Sequence, residues 1–276
     1  MIINNAKVYR NGHFESASIE FDSHIRSFSP GEGMDACGAY IIPGLIDVHT
    51  HGAMGIDASD CTAEQIHHLA QFYSDNGVTS FCFTTLTVPA DELRSAMKNI
   101  RAYERFGGEA KCTGVHLEGP FVSRGKCGAQ NPDNIRKPDI ALFNELNELS
   151  GGMVRLITVA PEVEGALDFI REASKVCTVS LGHSTADYDQ AMAGFEAGAT
   201  HVTHLFNGME PFHHRKPGLV GAALTAGANV ELICDGVHIH PAHHRQRLSA
   251  LRRALRRALQ SRRTADDRAR RARDAA

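Results

Sequence analysis

No run of 18 apolar residues occurs anywhere in the 276-residue chain, so no segment reads as a bilayer-spanning helix. The opening residues Met1–Lys7 lack the basic-then-apolar layout of a secretory signal. No Cys-x-x-Cys pair is present; the seven cysteines (37, 61, 82, 112, 127, 177 and 234) form an odd, scattered set. That pattern predicts reduced thiols in a cytoplasmic protein rather than a disulfide framework. There is also no Gly-x-Ser-x-Gly elbow, which argues against a Ser-His-Asp hydrolase.

What is present is an ordinary globular composition, 42% hydrophobic and 22% charged. It supplies enough apolar material for a large core, and α/β barrels reach this length as one unit. The net charge of −3 conceals an asymmetry. Residues 1–242 hold 17 basic and 29 acidic side chains, whereas residues 243–276 hold 12 Arg, no Lys, no aromatic residue and three Asp. The two parts are read separately.

Short apolar or β-branched runs recur at residues 40–48, 78–85, 113–117, 154–159, 177–181, 201–205 and 230–234. Between them, residues 62–76, 91–106, 138–149 and 187–198 show helical periodicity, with cap-like openings (Thr62 with Gln65, Asp91, Thr185) and glycines near the ends (Gly77, Gly107, Gly198). Alternating strands and helices predict a parallel sheet, here an α/β fold of the (β/α)8 barrel type that stops before its eighth strand. Residues 1–39, with turns at Asn11-Gly12 and Pro30-Gly31, predict a small N-terminal β-domain. The expected division is therefore 1–39, a barrel over 40–242, and an Arg/Ala-rich tail over 243–276.

In a barrel of this kind chemistry sits at the C-terminal ends of the strands. His49 and His51 follow the first run, and their i, i+2 spacing turns both imidazoles to one side. Glu118 ends the third run, His183 follows the fifth, His204 lies in the sixth and His238 follows the seventh. A single such residue would be a hydrogen-bonded or capping group. Four His and one Glu at four strand ends point to a divalent metal site of Zn²⁺ or Fe²⁺ type. Asp47 could orient an imidazole or close a turn. The histidines at 13, 24, 67, 68, 116, 201, 213, 214, 240, 243 and 244 read as structural or surface residues.

The run Pro43-Gly44-Leu45-Ile46-Asp47-Val48-His49-Thr50-His51-Gly52 resembles the opening signature of the amidohydrolase superfamily. His116-Leu117-Glu118-Gly119-Pro120-Phe121, Ala160-Pro161-Glu162, Gly182-His183-Ser184 and Thr203-His204-Leu205-Phe206-Asn207 narrow it, and together resemble the N-acetylglucosamine-6-phosphate deacetylase family as far as about Ala242. The resemblance implies hydrolysis of the acetamide of an amino-sugar phosphate by metal-activated water. It implies a metal held by Glu118, His183 and His204, a second one on His49 and His51 with Glu118 shared, and therefore one or two ions. It also implies that Asn207, the Gly208 backbone and His238 contact the substrate. Arg215 would reach phosphate across a homodimer interface. Gln130 stands where many relatives carry His; it could still donate to a phosphate or hydroxyl.

The family's acid/base, an Asp ending the eighth strand, has no counterpart in this pattern. Beyond Ala242 the acids are Asp266, Asp267 and Asp274, embedded in Arg/Ala sequence, and no catalytic residue is identified. The tail has three readings: out-of-frame or misassembled sequence, a basic helix with Leu248, Leu251, Leu255 and Leu259 near one face, or a solvated end. Without an eighth strand the edges of strands one and seven would be open, and the chain is expected to be poorly soluble or inactive. Two other functions stay open: an amidohydrolase acting on a cyclic amide or other N-acyl compound, and a non-catalytic metal- or nucleic-acid-binding product.

Overall fold

Along residues 5–9 buried and exposed side chains alternate, with Ala6 and Val8 inward, which is the pattern of a half-buried strand. β1 (Ile2–Arg10) returns as β2 (His13–Phe21) through Asn11 and Gly12, both at positive φ, as a two-residue hairpin requires. β3 (Ile25–Ser27) adds to β2, and β4 (Met34–Asp35) and β5 (Tyr40–Ile41) run parallel to β1. The structure, a computed structural model, describes residues 1–240. The tail readings for 243–276, Asp266, Asp267 and Asp274 included, lie outside the described residues.

The remaining elements alternate. β6 (Leu45–Thr50) precedes a small hairpin of β7 (Gly52–Ala53) and β8 (Ile56–Asp57). Then come α1 (Ala63–Asp75), β9 (Val78–Thr85), α2 (Ala90–Ala102), β10 (Lys111–Glu118), α3 (Ile140–Leu149) and β11 (Val154–Val159). α4 (Ala166–Ala173), β12 (Thr178–Leu181), α5 (Tyr188–Glu196), β13 (His201–Val202), α6 (Gly218–Ala226) and β14 (Asn229–Val230) complete the series. The seven strands β6, β9, β10, β11, β12, β13 and β14 lie side by side in chain order, all parallel, as a curled part-barrel. This is the α/β barrel architecture expected from the alternation. Its core is formed by Phe81, Phe83, Val115, Leu117, Ile157 and Leu181 of the strands against Ile66, Leu69, Leu93, Met97, Phe143, Leu146 and Ile170 of the helices. Among the described residues no helix is long and apolar enough to cross a membrane.

Local chemistry accounts for where the elements differ from expectation. Residues 40–48 do not form one strand: Tyr40 and Ile41 pair with Lys7 and Val8, and the barrel strand begins at Leu45. Pro43 has no N–H for a ladder, and a Cβ on Gly44 would come within 2.1 Å of Thr79. α2 stops at Ala102, short of 106, and Phe106 lies in a loop gathered around buried Glu109. That carboxylate accepts from Phe106 N (2.9 Å), Tyr103 Oη (2.8 Å) and His67 Nδ1 (2.9 Å). α5 is capped by Asp187 with Gln190 rather than by Thr185. α4 lies outside the expected helices although its buried Ala166, Phe169, Ile170 and Ala173 make one clean face, because it has only eight residues; α6 carries no amphipathic signal, being apolar nearly all round.

Candidate metal centre

Every residue of the candidate cluster lies at the C-terminal end of a strand. Glu118 is the last residue of β10, His49 lies within β6 and His51 just after it, and His183 and His204 each follow their strands, β12 and β13, by two positions. His183 (φ 46°) and His204 (φ 28°) both sit in the left-handed region, a conformation that costs non-glycine residues energy and is retained where geometry is needed.

Glu118 is 2% exposed and is the hub. Its Oε1 lies 3.1 Å from His183 Nε2, 2.9 Å from His204 Nε2 and 3.2 Å from His49 Nε2; its Oε2 lies 3.1 Å from His51 Nε2. The structure thus brings together all five residues expected to hold metal. The other ring nitrogens are tied from behind: His51 Nδ1 to the Thr84 carbonyl (3.0 Å), His183 Nδ1 to the Lys126 carbonyl (2.9 Å) and His204 Nδ1 to the Asn207 carbonyl (3.0 Å). A carbonyl only accepts, so each Nδ1 donates and each Nε2 points its lone pair at Glu118. His183 Nε2 and His204 Nε2 are 3.1 Å apart, and His49 Nε2 and His51 Nε2 are 3.3 Å apart. Lone pairs and a carboxylate crowded at these distances suit a shared divalent cation, and two triads on Glu118 have that geometry, Glu118–His183–His204 and His49–His51–Glu118; a third group of the same closeness, His49–His116–Glu231, lies on the other side of His49.

Without a cation the same Nε2 atoms, when protonated, donate to the carboxylate: burial works against charge on Glu118, but hydrogen bonds from His183, His204, His49 and His51 hold its carboxyl far below the usual range. Burial also disfavours charge on His49, yet Glu118 on one side and Glu231 on the other push its pKa up to about 10. His116, fully buried and beside His49, is held down to about 3 and is neutral. It belongs to a polar ladder inside the barrel: Nε2 meets Thr158 Oγ1 at 2.7 Å, Thr158 meets Thr203 at 2.8 Å, and Thr203 meets Ser180 at 2.6 Å.

A cavity of about 790 Å³ opens over the cluster, lined among others by Asp47, His49, His51, Glu118, Gln130, His183, His204, Glu231 and His238. His238 faces it with Nδ1 2.7 Å from Asp235, whose carboxylate also accepts from the His238 and Val237 backbones. Buried Gln130 donates to Glu118 Oε2 at 2.6 Å and accepts from Thr87 N, so its amide steadies the hub. The Asn207 carbonyl orients His204, and Gly208, at φ 61°, accepts from Ser184 N and packs close to the His183 ring. Neither Asn207 nor Arg215 is among the cavity's lining residues; Arg215 is exposed on a turn closed by His213 and Lys216. Asp47 closes its own turn by accepting from His49 N at 3.0 Å. Glu162 takes Ser184 Oγ (2.7 Å) and Thr185 Oγ1 (2.9 Å), tying the loop after β11 to the loop that carries His183.

Sequence reasoning missed Glu231, His201 and the interior place of His116. Glu231 reaches His49 Nδ1 at 2.7 Å and His201 Nε2 at 3.2 Å. A carboxylate inside the apolar run Val230–Ile233 was the available signal.

A parallel α/β part-barrel bearing a His/Glu metal-ligand cluster at its strand ends defines a metal-dependent hydrolase scaffold, and the chain belongs to the amidohydrolase family, whose sequence profile matches residues 40–274. More particularly, it is 38% identical to the N-acetylglucosamine-6-phosphate deacetylase of Bacillus subtilis over 207 residues, covering 73% of this chain and 52% of that protein. It is 40% identical to the N-acetylgalactosamine-6-phosphate deacetylase of Escherichia coli O157:H7 over 205 residues, covering 73% and 54%. The crystal structure of N-acetyl-D-glucosamine-6-phosphate deacetylase from Mycobacterium smegmatis superposes with a TM-score of 0.81 at 30% identity, over 91% of this chain and 68% of that one. The chain spans about half the length of the curated relatives it matches. These likenesses lend nothing to the expected inactivity, nor to the cyclic-amide and nucleic-acid-binding alternatives.

Proposed function

We propose that this chain carries the metal and substrate site of an N-acetylglucosamine-6-phosphate deacetylase, which hydrolyses the acetamide to glucosamine 6-phosphate and acetate. The observation that carries the reading is the convergence of four imidazole Nε2 atoms on Glu118 beneath an open cavity. Glu118, His183 and His204 would hold one divalent ion, Zn²⁺ or Fe²⁺, and His49, His51 and the shared Glu118 a second. An ion so held lowers the pKa of a water ligand to about 7 and polarises an amide carbonyl.

The chain's own groups divide the remaining work. Gln130 holds Glu118 in place from the cavity wall, and the Asn207 carbonyl fixes the His204 tautomer. His238, whose Nδ1–H is taken by Asp235, is placed to accept from a sugar hydroxyl through Nε2. Asn207 and Gly208 would meet the phosphate at the mouth of the site. Arg215 would do so from the neighbouring subunit of a homodimer, which light scattering on the purified chain would test. No residue is assigned the acid/base role.

The galactosamine epimer is the second reading, favoured by the 40% identity to its deacetylase. Acetate release measured on the 6-phosphates of N-acetylglucosamine and N-acetylgalactosamine, and on unphosphorylated N-acetylglucosamine, separates the two. The expected order is glucosamine phosphate first and the free sugar last. Equal turnover with and without phosphate would overturn the phosphate assignment, and activity undiminished by a chelator would overturn the metal.

A further inference from the structure

Glu231 stands one residue past β14, and its side chain is only 10% exposed. A carboxylate this far from water is costly to keep charged unless it is partnered. Its partners are unusual in kind. Oε2 lies 2.7 Å from His49 Nδ1 and 3.3 Å from the His204 backbone N, and Oε1 lies 3.2 Å from His201 Nε2.

Of the four imidazoles facing Glu118, three are held from behind by peptide carbonyls and only His49 by a carboxylate. A carboxylate fixes the ring's orientation and tautomer as a carbonyl does, and also makes the opposite nitrogen a stronger donor. Of the two triads on Glu118, His49 belongs to His49–His51–Glu118 and not to Glu118–His183–His204; behind it, His49 also groups with Glu231 and the buried His116. The other triad's link to Glu231 is the His204 backbone N–H alone; the His204 ring has its own anchor on Asn207.

We infer that Glu231 is a positioning residue that sets the affinity of the His49–His51–Glu118 position separately from that of Glu118–His183–His204. The inference rests on the metal-binding reading proposed above. Through Glu231, strand β14 and His201 of β13 act on β6, from the opposite end of the described sheet, and so decide whether one ion or two are held.

The test is a calorimetric Zn²⁺ titration of the full 276-residue chain after chelation, backed by chelator competition. The wild-type chain should take up two ions. In Glu231→Leu and Glu231→Asp, which remove or withdraw the oxygen behind His49, one ion should weaken by roughly ten- to a hundredfold, the other staying unchanged. Glu231→Gln keeps an oxygen that can accept from His49 Nδ1–H but loses the charge, and its binding of that ion should fall between the wild type and Glu231→Leu. Should the Leu variant fail to fold, the Asp and Gln variants decide alone. Failure of the wild-type chain to bind any Zn²⁺ would overturn the metal-centre reading itself. Two ions bound with no difference among the variants, equal weakening of both ions, or uptake of a single ion by the wild type would overturn the role of Glu231 and leave the metal centre standing.

Discussion

His183 Nε2 and His204 Nε2 stand 3.1 Å apart over the same Glu118 oxygen, while the far side of each ring donates to a peptide carbonyl. Neither ring can turn its lone pair elsewhere without losing its anchor. The pair is therefore preorganised as a donor set, and Glu118 is the group that both triads share.

Replacing the hub should remove both positions at once. Glu118→Ala is expected to lower Zn²⁺ affinity by more than about a hundredfold, beyond what loss of an outer partner causes. Elemental analysis of the purified variant, with chelator competition, checks this; a variant that retains one tightly bound ion would show that Glu118 is not shared.

Gly119 follows Glu118 at φ 107°, and a Cβ there would lie 2.1 Å from Thr87 Oγ1. Gly119→Ala should cost about 2 kcal/mol through clash and backbone strain. The double variant Gly119→Ala with Thr87→Ala should recover the part due to the clash but not the part due to φ. Denaturant midpoints of these two variants, of Thr87→Ala alone and of the wild type measure the split.

Glu162 ties the loop after β11 to the loop carrying His183. Glu162→Ala leaves the Ser184 and Thr185 donors without their acceptor, and about 1–3 kcal/mol of stability should be lost. Because the His183 loop is freed, Zn²⁺ affinity should fall as well. Thermal melts with and without Zn²⁺ would separate the two effects.

Glu109 gives a pH signature away from the metal. Burial raises its pKa, but donors from Phe106, Tyr103 and His67 outweigh this and bring it below the ordinary 4.5. A carboxyl whose folded pKa is depressed contributes stability above about pH 4.5 and loses it as pH falls through the lower folded value. Glu109→Gln should therefore be less stable at neutral pH and show a shallower loss of Tm on acidification. Parallel Tm–pH curves would refute the assignment.

The barrel was legible because strand and helix alternate in the chain as they do in space, so β6 to β14 could be read in order. The clustered residues were legible because His49, His51, Glu118, His183 and His204 interrupt or end apolar runs where a barrel keeps its chemistry. Glu231 escaped because it makes no motif; its importance comes from strands β6 and β13 arriving beside it. His116 looks like any histidine in a strand until the ladder of Thr158, Thr203 and Ser180 is assembled beside it, and His201 until Glu231 arrives next to its ring. Asn207 and Gly208 were expected as substrate contacts; what the structure gives them is backbone work on His204 and Ser184, which side-chain identity does not announce. The strand drawn through residues 40–48 failed because Pro43 and Gly44 were read as part of a signature and not as a break.

That break joins two sheets through a very short connector. Between β5, zipped to β1, and β6, which bears His49, lie only Ile42, Pro43 and Gly44; the first proline torsion is fixed and Gly44 is pressed against Thr79. Such a link transmits displacement with little slack. In mechanical terms the N-terminal sheet is a handle on one side of the cluster: a load that unzips β1 from β5 is felt first at His49 and His51. Glu118, His183 and His204, hung from β10, β12 and β13, would yield later.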